Sequence, residues 1–182
     1  MMKGLIVVVG AALLTTQLGY AQGGSADPAK QAKSGESLLL CEGVTLRVVK
    51  SPSPRFKSVK LKGEAVVVAL NFDAGKKSAT VFYKATGNVN SSEVYLTDGT
   101  NKIAPRAVVE DFPSWGKDND QEVEILDSKD KSGSETLTFS RAGSVFLLFD
   151  VPTERARGTQ RVAITVRALK PADEQHSFVV SL

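Results

Sequence analysis

The 182-residue chain has one cysteine, one histidine and one tryptophan, and its charges nearly cancel, with 23 Lys and Arg against 20 Asp and Glu. Each shortage removes a class of function. A single cysteine forms no internal disulfide, so this is not one of the disulfide-stapled scaffolds common among small secreted domains. One cysteine and one histidine are too few soft ligands for a structural zinc site, which takes four ligands. No Gly-x-Ser-x-Gly elbow accompanies His176, so a Ser/His/Asp triad has no support and His176 reads as a surface or strand-end residue. No strong basic stripe is present, and nucleic acid is not an expected partner. No cofactor is expected. Beyond the N-terminal segment no apolar run approaches the roughly 20 residues that cross a bilayer.

What the chain does have begins with an address. Lys3 precedes an apolar run over 5–14, and Thr15, Thr16 and Gln17 break that run after about ten residues, too soon for an anchor. Gly19-Tyr20-Ala21 places small residues at −3 and −1 of a cut before Gln22. The expectation is a cleaved signal peptide over 1–21, a secreted or periplasmic protein, and no stable membrane insertion afterwards. Residues 22–37, rich in Gly, Ser, Ala, Lys and Gln, read as a flexible linker, and 38–182 as the domain. Cys41 follows Leu38-Leu39-Leu40, too far from the apolar run to accept a lipid. It reads as a small hydrophobe buried in a strand.

From residue 38 the period is two. Val44, Leu46 and Val48 alternate with polar neighbours, as do Leu137 with Phe139 and Val162, Ile164 with Val166. The run 145–151 is apolar on both faces and reads as a central strand covered on both sides. Turn signals fall at Asp73-Ala74-Gly75, Thr86-Gly87-Asn88, Asp98-Gly99 and Ser132-Gly133-Ser134. Asp98-Gly99 suggests a two-residue hairpin turn, and Pro105 makes 102–109 an edge strand. Eight or nine strands with almost no helical spacing predict an all-β, antiparallel β-sandwich with Greek-key connections. The alternative is a small lipocalin-like barrel binding an apolar ligand.

Two stretches carry a resemblance. Val94-Tyr95-Leu96-Thr97-Asp98-Gly99, followed by Gly143-Ser144-Val145-Phe146-Leu147-Leu148-Phe149-Asp150-Val151-Pro152, resembles the immunoglobulin-like domain family of unknown function found in secreted bacterial lipoproteins, which is similar to the mycobacterial secreted immunogenic proteins. In that family a hairpin on Asp-Gly precedes a strand ending Phe-Asp-Val-Pro, with a glycine just before the strand. The resemblance covers about 44–182 and departs from the family in lacking a lipid-acceptor cysteine near the signal. It implies an immunoglobulin-like sandwich, an extracytoplasmic address and no known enzymatic activity.

Few residues suggest chemistry. Phe112 and Trp115, in a segment bounded by Pro113 and Gly116, form either a plug at the end of the sandwich or an exposed binding anchor. Lys57 and Lys60 belong to a basic stretch over 50–62 that meets an anionic surface or else guards a loop or edge. Asp118, Asp120 and Asp127 are the calcium candidates in an acidic loop without EF-hand spacing. Asp118 and Glu122 are the pair a carboxylate-dependent hydrolase would use. The reading favoured is a non-enzymatic binding domain for a protein or cell-envelope component, with no catalytic residue assigned.

Overall fold

The computed structural model describes residues 29–52, 56–116, 122–129, 135–158 and 160–182. The expected signal segment 1–21 therefore lies outside the described residues. The chain is all-β. Its strands are β1 (Lys30–Lys33), β2 (Ser37–Cys41), β3 (Val44–Ser51), β4 (Glu64–Tyr83), β5 (Val94–Thr97), β6 (Lys102–Ile103), β7 (Ala107–Asp111), β8 (Glu124–Ile125), β9 (Glu135–Val151), β10 (Arg161–Lys170) and β11 (Glu174–Ser181). They form one open, mixed sheet whose main path runs β1-β11-β10-β4-β9-β7-β8. All pairings are antiparallel except β1 with β11. An open path with β1 and β8 at its ends corrects the closed-barrel alternative.

Two long strands organise everything. β4 and β9 pair along nearly their whole lengths, with a register shift between Asp73 and Ser78. Before the shift β4 also pairs with β3, and after it with β10. The sheet thus bends into two sections, β2-β3-β4-β9-β7-β8 and β1-β11-β10-β4-β9 with β5 and β6 beside β10. Gly75 at φ +61 and Arg141 at φ +69 mark the bend, and the Asp73 carboxylate accepts the Gly75 N–H at 2.7 Å. Asp73-Ala74-Gly75, expected as a chain-reversing turn, is instead a bulge inside one strand. A bulge bends a strand and increases its twist without ending it.

One core lies between the sections. Leu46, Val68, Leu70 and Leu147 from one section meet Val81, Ile164, Val166 and Val180 from the other, all buried. A smaller cluster covers the outer face: Phe56, with Val59 and Leu61, closes over Val67, Val109 and Leu148. β9 is therefore apolar on both faces because both are covered, as the run 145–151 suggests. Other expectations shift. Within the segment read as linker, Lys30–Lys33 is a strand beside β11. The Asp98-Gly99 turn joins β5 to β6 through a four-residue loop, since Thr97 pairs with Lys102. Pro105 divides 102–109 into β6 and β7, and β7 lies between β9 and β8 rather than at an edge. Cys41 is buried in β2, and burial raises its thiol pKa.

Candidate functional site

The most concentrated chemistry sits where the two sections part, between β7–β8 and the first half of β9. Val108, Glu110 and Phe112 share one phase of β7 and its continuation. Val108 and Phe112 enter the core, and Glu110 between them is half-buried. There the Tyr83 hydroxyl, wholly buried, donates to Glu110 Oε1 at 2.7 Å. Burial pushes the Glu110 carboxyl up, the bond from Tyr83 pulls it back, and Glu135 and Glu124 add repulsion. Burial and then the Glu110 charge hold the Tyr83 phenol well above its ordinary range. Burial, followed by repulsion from Glu124, raises Glu135 as well.

These carboxylates line a cleft of about 430 Å³ with Trp115, Glu122 and Val123. A smaller recess of about 80 Å³ shares Val108, Glu124 and Glu135 with it and reaches Tyr83, Thr86 and Asp127. Among the described residues, no cation is paired with any of the four glutamates. The recess wall is tight: a Cβ on Gly87 would stand 2.6 Å from the Leu126 carbonyl oxygen.

Trp115 is placed by the short 3₁₀ turn Pro113–Trp115 that follows β7. Its ring stacks on Phe112 at 4.7 Å and 24°, and it remains 38% exposed. Its indole N–H donates to the Thr138 carbonyl at 2.7 Å, and Ser114 Oγ accepts the Ser140 N–H at 3.2 Å. The turn therefore covers the side of β9 that faces away from β4, satisfying a strand edge. Thr80–Thr138 and Ser78–Ser140 hydroxyl contacts at 3.1 and 2.8 Å lie on the β4 side. This closeness suits the narrow pairs of an antiparallel ladder. The plug is Phe112, not the tryptophan. A Cβ on Gly143 would lie 1.9 Å from the Phe112 ring, so only glycine leaves room for it.

The remaining expected residues lie elsewhere. Lys57 and Lys60 are exposed on the segment that closes the outer face, and neither lines the acidic cleft. Asp118 and Asp120 lie outside the described residues. Asp127 is exposed, and its Oδ1 accepts the Lys129 N–H at 2.8 Å. Among the described residues no group of three His, Cys, Asp or Glu side chains could hold a metal ion. His176, half-buried in β11, contacts the Leu40 carbonyl and Glu174 and stacks on Phe178. Sequence reasoning found Trp115 and Glu122 but missed Glu110, Glu124, Glu135 and Tyr83. One signal was available: a glutamate on the apolar phase between Val108 and Phe112.

No family model and no curated protein matches the chain. Among solved structures it is similar to a family 123 glycoside hydrolase from Clostridium perfringens, at 11% identity and TM-score 0.37 over 75% of this chain. A yeast delta-COP-I mu-homology domain aligns at 13% identity and TM-score 0.23 over 77% of this chain. The alignments span 26% of the first chain and 54% of the second.

Proposed function

We propose that this is a secreted or periplasmic, non-enzymatic binding domain of immunoglobulin-like, Greek-key sandwich type, which takes a cationic group of a protein or cell-envelope partner into its acidic mouth. The observation that carries the reading is the convergence of Glu110, Glu122, Glu124 and Glu135 on one cleft beside a part-exposed indole. An ammonium or guanidinium group entering there relieves the repulsion that half-buried Glu110 and Glu135 feel from each other and from exposed Glu124, and adds a cation–π contact with Trp115. The address rests on the signal-like N-terminus, and the immunoglobulin-like topology on the family resemblance. Among the described residues no helix is long and apolar enough to cross a membrane.

Trp115 is the chain's only tryptophan, so its fluorescence reports this cleft alone. Titration with pentalysine at low salt should change that emission saturably. The affinity should fall about tenfold in Glu110→Gln, equivalent to about 1.4 kcal/mol, and fall again as salt rises. An emission that pentalysine leaves unchanged at millimolar concentration overturns the reading.

A second reading keeps one specific support. Glu110 and Glu135 both have raised carboxyl pKa values in a cleft, which is what general-acid chemistry needs. A hydrolase would turn over some member of a p-nitrophenyl glycoside and ester panel, and Glu110→Gln would abolish that turnover. Silence across the panel leaves the binding domain.

A further inference from the structure

We infer that the outer face of β3, β4, β9 and β7 is a second binding site, separate from the acidic mouth, that takes an uncharged oligosaccharide lying across the strands. The register builds it. Arg47 stands opposite Asn71, Asn71 opposite Ser144, and Ser144 opposite Asp111, a polar row over four strands. One step along, Thr45 faces Asp73. With Pro113 these residues line an open cleft of about 400 Å³, within the size range of small-ligand sites.

Three physical points select the ligand. First, neighbouring strands lie about 4.8 Å apart, so each polar side chain is displaced from the next by roughly the length of one pyranose ring. A chain of linked sugars meets the row unit by unit. Second, the row is arranged to donate and accept. The Ser144 hydroxyl donates to Asn71 Oδ1 at 2.7 Å, which fixes the amide and leaves its two N–H donors for ligand hydroxyls. Asp73 accepts the Gly75 N–H through Oδ1 only, so Oδ2 remains an acceptor, while the Arg47 guanidinium supplies a fork of donors. The face carries both signs of charge, which suits neither a polyanion nor a polycation.

The third point disfavours a peptide. β4 is paired by β3 and β9 here, and β9 by β4 and β7, so the two central strands of the floor offer no edge for β-augmentation. Recognition falls to side chains, and a hydroxyl-rich ligand answers them. Pro113 is a firm apolar wall for sugar C–H groups, because Phe112 beside it is seated against Gly143. The same 3₁₀ turn presents Trp115 to the mouth, so one small element contributes a wall residue to each cleft.

The test is an NMR titration of the ¹⁵N-labelled protein with maltotetraose, cellotetraose and chitotetraose in turn. At least one should shift the Asn71 side-chain amide and the Ser144 backbone signal saturably, with Trp115 emission unmoved. Asn71→Ala should weaken that binding about tenfold, the loss of one or two good hydrogen bonds. Arg47→Ala, at an exposed position, should weaken it at unchanged Tm and serves if Asn71→Ala unfolds. The inference is overturned if none of the three sugars moves these signals at millimolar concentration. It is equally overturned if the shifts follow Trp115 and vanish in Glu110→Gln, or if only pentalysine or heparin moves them.

Discussion

At the scale of single residues, three carboxylates and one glycine make opposite demands on the surroundings. Gly143 leaves the space that Phe112 fills, and Phe112 also packs on Phe139 at 5.1 Å. Gly143→Ala must displace that ring, so we expect a loss of about 1–3 kcal/mol, the usual cost of overpacking. Phe112→Ala also destabilises, but the two losses should be clearly less than additive in a denaturant double-mutant cycle. Additive losses would mean that Gly143 serves something other than the ring. The carboxylates set the pH response. Asp98 accepts from the Asn101 and Thr100 N–H groups and the Asn101 amide, which lower it to about 2 from 3.8. A depressed acid contributes stability above 3.8 that is lost as pH falls toward 2. Glu110 and Glu135 are raised from 4.5, so the folded state holds protons that the unfolded chain has released. Their contribution is complete below 4.5 and lost as pH rises through the raised values. Thermal melts from pH 2 to 7 should therefore show the acid-side fall reduced in Asp98→Asn and the fall above 4.5 reduced in Glu110→Gln. Profiles that overlay the wild type would refute both assignments.

At the scale of elements, the two long strands hold most of what sequence reasoning misplaced. Alternation is local, so it identified 137–139 and 145–151 as strand. It had no means of telling that the interruptions were bulges instead of turns. Gly75 reads as a turn residue because it favours positive φ, and a bulge asks for the same conformation. The opposite bend falls on Arg141 at φ +69, a residue with no such preference and hence no visible signal. Arg141→Gly should accordingly raise stability by up to about 1 kcal/mol, the strain of a left-handed side chain less the glycine entropy cost. Gly75→Ala should lower it by a similar amount; denaturant midpoints of the two variants moving in the same direction would contradict this. The family-like motif was legible for a different reason. Asp150 accepts the Lys62 and Gly63 N–H groups at 3.0 and 2.7 Å, while Phe149 and Val151 enter the core. Those residues mark how the entry to β4 is tied to the end of β9, which is structure and not a site. The acidic mouth was only half visible, because Glu110 and Glu135 come from strands distant in sequence that only the folded register brings together.

At the scale of the whole molecule, the bend raises the question of whether the two sections are one folding unit or two. Each section has its own outer strands, β2 and β3 on one side and β10 and β11 on the other. Yet β4 and β9 run through both, and a single core cluster contains side chains from each. Neither section can open without exposing the apolar face of the other and breaking the shared β4–β9 ladder. The chain should therefore unfold as one cooperative unit. Leu46→Ala in β3 and Val166→Ala in β10, both fully buried, should each remove about 2–5 kcal/mol as large-to-small core changes do, the valine at the lower end. Both should shift one common denaturant transition, with the same slope by tryptophan emission and by far-ultraviolet circular dichroism. If Val166→Ala instead yields a separate early transition that Trp115 does not report, the sections are independent and the acidic mouth between them opens with one half. That outcome would also make ligand entry a matter of section movement, since the mouth and its recess are walled by β7 and β8 from one section and by the Tyr83 end of β4 and the Glu135 end of β9, which lie in the other. A single transition leaves the mouth a fixed cleft, whose affinity for a cation is set by the four glutamates and Trp115 as they stand.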